Sequence, residues 1–311
     1  MDTTWEIRSL WQRGLVHSNQ FRFKTRHSDN EINTGLVFED QRYDSRYLVD
    51  LTTDATSDIN IPMFDAKDRW LLNVRHAGEW SDQLTSSINY SAVSDIDYLP
   101  DIGGDVGSSR IDTFIGPIDQ NLNNRLSASL DRKGDIIYQD AQLTAGVQIQ
   151  AFQPLVLNAK PQYERLPRLH ARYRYQFAGI NVDFHGAHTW FDRDHEKFSG
   201  ILAITGQRTV GDLSITYPLR NSWGFVTPSA GVTHRLYRLD QVPVGIEKVP
   251  NRTDTWASLD TGLIFDRFFQ WGQKDWLQTL EPRAFYLYAN ATDQKDLPEF
   301  DAGTPTPSLS Q

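Results

Sequence analysis

The 311-residue chain contains no cysteine. That excludes a disulfide framework, a thiolate metal site and a cysteine nucleophile. No apolar run approaches the ~18 residues of a membrane-spanning helix. The nearest, "RWLLNV" and "GLIFDRFF", are strand-sized. Basic residues never cluster into a polybasic arm, and the net charge of -9 argues against nucleic acid as a partner. The first residues, "MDTTWEIRSLW", lack the basic and apolar regions of an export signal. Helical periodicity is missing as well.

What the chain has is alternation and aromatics. Aromatic residues make up 12%, with nine Trp, although mean hydropathy is negative at -0.52. In "LHARYRYQF" (169–177), Leu169, Ala171, Tyr173, Tyr175 and Phe177 alternate with His170, Arg172, Arg174 and Gln176. A two-residue period suits a strand whose faces meet different environments. Similar segments recur at Trp5–Gln12, Phe21–His27, from about Thr34, Arg69–Ala77, Leu84–Val93, Leu126–Asp131 and Gln142–Phe152. Beyond the 169–177 segment they continue at Ile180–Trp190, Val210–Leu219, Trp223–Leu239, Thr255–Phe265 and Leu277–Tyr288. The total is about thirteen strands.

Short turns are expected near Asn30, at "GEWSD" (78–82), "RKGD" (132–135), "AG" (178–179), "RNSWG" (220–224) and "FFQWGQKDW" (268–276). They alternate with long polar loops at about 43–68, 94–122, 153–167, 191–207, 240–253 and from 289 onward. Along antiparallel strands this gathers the short turns at one rim, together with Trp80, Trp223, Trp271 and Trp276. Dyad strands, short-long alternation and a rim of aromatics are the signature of an outer-membrane barrel. One face would meet lipid and the other a wet lumen. Two other readings share the pattern: a porin-like channel for small solutes, and a soluble β-sandwich or propeller binding module.

The expected fold is therefore all-β, an antiparallel transmembrane β-barrel segment. An odd strand count, the missing export signal and the Pro- and Ser-rich end "DAGTPTPSLSQ" suggest an incomplete, internal part of a larger barrel. Such a piece would leave two strand edges unpaired.

Five blocks resemble the barrel of the lipopolysaccharide-assembly outer-membrane protein family, LptD. They are "DRWLLNVRHAGEW" (68–80), "YSAVSDIDYLPDIGG" (90–104), "PQYERLPRLHARYRY" (161–175), "PLRNSWGFVTPSAGVTH" (218–234) and "TLEPRAFYLYANATDQKDLPEFD" (279–301). The resemblance implies that residues 1–311 form part of one outer-membrane barrel domain, without the N-terminal periplasmic jelly-roll domain, the family's disulfide cysteines or the barrel ends. It implies lipopolysaccharide as cargo, outer-membrane lipids around the wall and the plug lipoprotein LptE inside. It also implies a periplasmic lipopolysaccharide bridge that docks only through the absent N-terminal domain.

No cofactor or metal is expected, and no enzymatic activity. His185 and His188 are three apart on a strand and point to opposite faces, so they cannot easily share one ion. The serines of "GSSR" (107–110) have no nearby histidine. Asp95, Asp97, Asp101 and Asp105 do not follow calcium-loop spacing and are expected in a solvated external loop. The candidate ligand-binding groups are two basic ladders: Arg22, Lys24 and Arg26 on one strand, and His170, Arg172 and Arg174 on another. If their apolar neighbours face lipid, these groups face the lumen, where guanidinium suits a phosphorylated lipid.

Overall fold

The computed structural model describes residues 1–11, 13–40, 68–103, 128–156, 162–193, 198–272, 274–290, 297–298 and 300. Alternating sequence becomes antiparallel strand almost throughout. The strands are β1 (Asp2–Leu10), β2 (Gly14–Lys24), β3 (Ser28–Val37), β4 (Arg69–Glu79), β5 (Leu84–Val93), β6 (Ser129–Gln139), β7 (Leu143–Pro154) and β8 (Glu164–Phe177). They continue with β9 (Ile180–Asp192), β10 (Thr205–Thr216), β11 (Leu219–Asn221), β12 (Gly224–Asp240), β13 (Asn251–Leu263), β14 (Phe265–Trp271), β15 (Lys274–Leu280) and β16 (Arg283–Ala289). One 14-stranded sheet has the order β1 to β10, then β12, β13 and β16, with the short β11 against β12. Among the described residues no pairing of β1 with β16 closes it. Strands β14 and β15 form a separate two-stranded sheet.

Packing divides the chain into two compact units, Met1–Ile137 with Gln148–Glu164, and Tyr138–Val147 with Arg165–Gln311. In the first, cross-strand register gives each face its content. The file Gln20, Asn33, Asn73, Ser91 runs straight across β2 to β5 and is buried on one face. The next file along, Arg22, Glu31, Arg75, Asn89, lies on that same face. Phe21, Ile32, Val74 and Tyr90 form a file on the opposite face. Toward the end that bears the long loops, the buried face turns apolar. Val16, Val37, Leu71 and Val93 pack there with Tyr98, Leu99, Ile102, Leu130 and Leu155. Three of those residues come from the segment after β5, where a single helical turn, α1 (Tyr98–Asp101), folds onto the sheet.

Two expected turns lie elsewhere. Asn30 is inside β3, and the β2–β3 turn is 25–27. There Thr25 N–H donates to the Ser28 carbonyl at 2.8 Å, and Ser28 N–H donates to Thr25 Oγ1 at 2.9 Å. "RKGD" (132–135) is inside β6. Leu130 and Asp135 are both buried although an odd number of residues apart, so alternation changes phase between them. That phase change is what imitates a turn. The true β6–β7 turn is held by Asp140, whose Oδ1 accepts the N–H groups of Gln142 at 2.8 Å and Leu143 at 2.7 Å. Those two bonds hold its carboxyl below the usual carboxylate range. The expected "AG" turn is where it should be. Ala178 and Gly179 have φ of 49° and 83°, the pair of positive values that a two-residue primed hairpin needs.

In the second unit the two faces separate by the same rule. Phe184, Leu213, Val232 and Thr255 form one cross-strand file over β9, β10, β12 and β13. Val182, Ile215, Ala230, Ala257 and Tyr288 form a parallel one that reaches β16. The opposite face carries His185, Asp212, Thr233 and Asp254 in register. Glycines on that face make room for aromatic neighbours. A Cβ on Gly231 would lie 2.6 Å from Trp256 Nε1, its cross-strand partner. At the long-loop end of this unit Phe300 is buried and stacks on Phe191 at 4.4 Å between centroids.

Candidate functional site

The buried polar face of the first unit is ordered along the strands. At its long-loop end Arg69, first residue of β4, alternates in phase with Leu71, Asn73 and Arg75 and has a fully buried side chain. Its guanidinium meets Asp95 through Nε–Oδ2 at 2.9 Å and Nη2–Oδ1 at 2.6 Å. Nη1 donates to Asp40 and to Asp101, both at 2.9 Å. Arg13, in the β1–β2 turn, reaches the same two carboxylates at 2.9 and 3.0 Å. Two guanidinium groups thus hold three carboxylates around α1. Asp95 also accepts Ser94 Oγ at 2.6 Å and the Asp97 N–H at 3.1 Å. Arg8 Nη2 donates to the Ile102 carbonyl at 2.8 Å, fixing the far end of the segment.

The acidic segment is therefore not a solvated external loop. Asp95 is 2% exposed, because a desolvated guanidinium needs carboxylates within hydrogen-bond reach. Asp97 is the member left without a direct guanidinium bond. Burial first, then the charges of Asp101 and Asp95, raise its carboxyl above the ordinary value. Burial likewise pushes the Tyr98 phenol up. Asp105 lies outside the described residues. Sequence reading missed Arg69 and Tyr98. The available signal was a charged residue in phase with Leu71 at the start of a strand.

Further along that face the polar file is hydrogen-bonded across four strands. Gln20 Nε2 and Asn33 Nδ2 both donate to Glu31 Oε1, at 3.0 and 2.7 Å. Asn33 Nδ2 also donates to Asn73 Oδ1 at 3.0 Å, and Asn73 Nδ2 to Ser91 Oγ at 3.0 Å. At the short-turn end a cavity of about 420 Å³ opens, lined by Lys24, Arg26, His27, Asp29, Glu79 and Asp135 among others.

The basic ladders are placed as follows. Arg22 and Lys24 are on β2, on the buried polar face with Gln20. Arg22 is paired with Asp2, and Lys24 with Asp29 at 3.1 Å. Arg26 is not on the ladder, because β2 ends at Lys24, but it lines the same cavity as Lys24. On β8, His170, Arg172 and Arg174 alternate with exposed Leu169, Tyr173 and Tyr175. Arg172 bonds Asp183 on β9 with Nε and Nη2, at 2.9 and 2.7 Å to Oδ2. His185 pairs with Asp212 at 3.1 Å and His188 with Thr209 at 2.7 Å, on opposite faces as expected. No cluster of metal-ligating side chains is found among the described residues.

An unclosed antiparallel sheet, with files of apolar side chains outward on one face and ion pairs on the other, defines a segment of outer-membrane β-barrel wall. A profile of the family LptD, LPS transport system D, matches residues 67–308. The chain belongs to the LptD family. It is 28% identical over 316 residues to the LPS-assembly protein LptD of Hahella chejuensis, covering all of this chain and 36% of that protein. It is 31% identical over 322 residues to that of Nitrosospira multiformis, covering all of this chain and 30% of the relative. For Pseudomonas fluorescens the identity is 27%, over 98% of this chain and 34% of the relative. The chain thus spans about a third of the length of the curated relatives it matches.

Proposed function

We propose that the chain is part of the wall of a lipopolysaccharide-assembly barrel in the outer membrane of a Gram-negative cell, with residues 1–311 belonging to one barrel domain. The apolar face meets outer-membrane lipid, and the polar face meets the lumen, its plug lipoprotein LptE and passing lipopolysaccharide. The observation that supports this best is the separation on β8. Carrying Arg172 and Arg174 on the lipid side would cost roughly 2–4 kcal/mol each at mid-depth. The three residues alternating with them, Ala171, Tyr173 and Tyr175, are apolar or aromatic, and both tyrosines are exposed. In this role Arg22, Lys24, Arg26, His170, Arg172 and Arg174 present donors to the phosphorylated head groups of the lipid. Because Arg22, Lys24 and Arg172 already have carboxylate partners, they would act by exchanging those partners for phosphate.

The test is accessibility in the full-length parent protein, in intact membranes, with the unsubstituted parent as background. Single cysteines at 172 and 174 should react with a charged thiol reagent. Those at 171 and 173 should resist it and accept a lipid-phase probe. Equal labelling at all four would leave a sheet wet on both faces and remove the barrel reading. Inverted labelling would keep the barrel and remove the basic lumen.

A further inference from the structure

Strands β14 and β15 continue the β13–β16 hairpin without a slip. Gly262 is opposite Arg283, Phe265 opposite Leu280, Phe269 opposite Trp276 and Trp271 opposite Lys274. Two pairs between them, Leu263 opposite Pro282 and Ile264 opposite Glu281, are not ladder pairs, but Leu263 N–H donates to the Pro282 carbonyl at 3.0 Å and Ile264 N–H to the Trp223 carbonyl at 2.9 Å. Strand β12 stops at Gly224, opposite Leu263. The next seven residue pairs have no other strand beside them among the described residues. At ~3.4 Å per residue they make a tongue about 24 Å long at the short-turn rim. A barrel strand needs ~9–11 residues to cross a bilayer, and the 13 of β13 suffice, so the tongue is surplus to spanning.

The two faces of the tongue differ. One carries Phe265, Phe269, Trp271, Trp276 and Leu280, with the cations Arg267 and Lys274. Through the unbroken register it is in phase with Leu259 and Tyr286, a pair on the outward apolar face of the sheet. The other face is polar except for Phe268 opposite Leu277. Its Gln270 Nε2 donates to Asp275 Oδ1 at 2.6 Å, and its Thr279 Oγ1 to Asp266 Oδ1 at 2.9 Å. On the first face Phe265, Trp271, Trp276 and Leu280 are each more than half exposed, and so is Phe268 on the second. Exposed aromatics beside cations, continuous with a lipid-facing surface, match the headgroup layer of an anionic bilayer.

We infer that the tongue is an interfacial anchor: its aromatic and cationic face lies on the periplasmic leaflet of the outer membrane, with Trp271 and Trp276 at headgroup depth and Arg267 and Lys274 on anionic phosphates. The inference rests on the barrel reading above and adds a contact that spanning does not require. It fixes the tilt of this part of the wall against the membrane plane.

The full-length protein is reconstituted in phosphatidylcholine vesicles with and without about 30% phosphatidylglycerol, which supplies the anionic surface charge. A small environment-sensitive fluorescent amino acid replaces Phe269, Trp276, Phe268 or, as a control on the sheet, Tyr173. Lipids carrying a headgroup-level quencher should quench the probes at 269 and 276, and more strongly with phosphatidylglycerol, while lipids carrying an acyl-chain quencher should quench the probe at 173. The probe at 268 should instead be quenched by aqueous iodide. Arg267→Gln with Lys274→Gln should lower the docking equilibrium constant by roughly fivefold per cation in the anionic vesicles. Quenching by lipid at 173 but by iodide at 269 and 276 would overturn the anchor and leave the barrel. Lack of lipid quenching at 173 would instead remove the barrel reading. Protection of 269 and 276 from both quenchers would also overturn the anchor, since a protein partner would then cover that face.

Discussion

Arg69 and Asp95 face each other across the start of β4 and the end of β5 in a two-pronged ion pair, at 2.9 and 2.6 Å, with both side chains fully buried. The pair fastens the segment 94–103 onto the inner core of the first unit. A buried pair is poor evidence of net stabilisation against an apolar replacement, but removing one member strands the other. Arg69→Gln is therefore expected to cost about 3–5 kcal/mol locally, releasing α1. Amide exchange over 94–103 in the full-length parent should quicken while that of β9 and β10 does not. Unchanged protection of 94–103 would show that the apolar contacts of Tyr98, Leu99 and Ile102 hold the segment unaided.

Gly35 supplies the seat for Tyr98. A Cβ there would collide with the Tyr98 hydroxyl, yet it would stand 3.6 Å from Cζ, an ordinary contact. Gly35→Ala should destabilise the unit by about 1–3 kcal/mol, as overpacking does. Adding Tyr98→Phe should recover most of that loss, because only the hydroxyl oxygen is in the way. A thermal-unfolding cycle over the four variants measures the coupling. Additive effects would exclude the collision as the cause.

Two carboxyl groups outside the strands respond oppositely to acid. Asp140 is held below its ordinary value, so its contribution to the β6–β7 turn is present above about pH 4 and fades as pH falls through the depressed value. Asp97 is held above its ordinary value, so mild acid protonates it in the fold first and stabilises α1 relative to the unfolded chain. Asp140→Ala should therefore speed exchange at Gln142 and Leu143 relative to the parent at neutral pH, and the difference should shrink in strong acid. Asp97→Asn should remove the acid-induced protection of 94–103. A constant Asp140→Ala difference down to strong acid would contradict the first assignment, and retained acid protection in Asp97→Asn the second.

Arg172 and Asp183 form an exposed pair, with the guanidinium side chain 52% accessible. Exposed pairs contribute about 1 kcal/mol or less. Arg172→Gln should leave heat-modifiable migration of the parent barrel unchanged. A fall in lipopolysaccharide reaching the cell surface, in that variant or with Arg174→Gln, would then report a role in transport. Normal surface lipopolysaccharide in the double variant would remove both from the guidance proposal.

Much of this protein is legible along the chain because β-structure with two unlike faces writes itself as alternation. Strand β5 and the "AG" hairpin stand where the sequence puts them, and the outward apolar files follow once each strand is phased. Burial and register are different matters, because both depend on what lies opposite. The aspartates of a polar segment read as solvated until Arg69, 26 residues before Asp95, is brought against Asp95 and Asp101. "RKGD" reads as a turn because a change of phase inside a strand and a true reversal both interrupt alternation, and only pairing distinguishes them. The hairpin around Gly272 was visible, but not that its last seven pairs run beyond the end of β12. Alternation along the chain carries most of the strands and the sign of each face. Tertiary structure decided which charges are buried, which partners neutralise them and where a strand outlasts its neighbour, since desolvation and cross-strand pairing act between residues far apart in the chain.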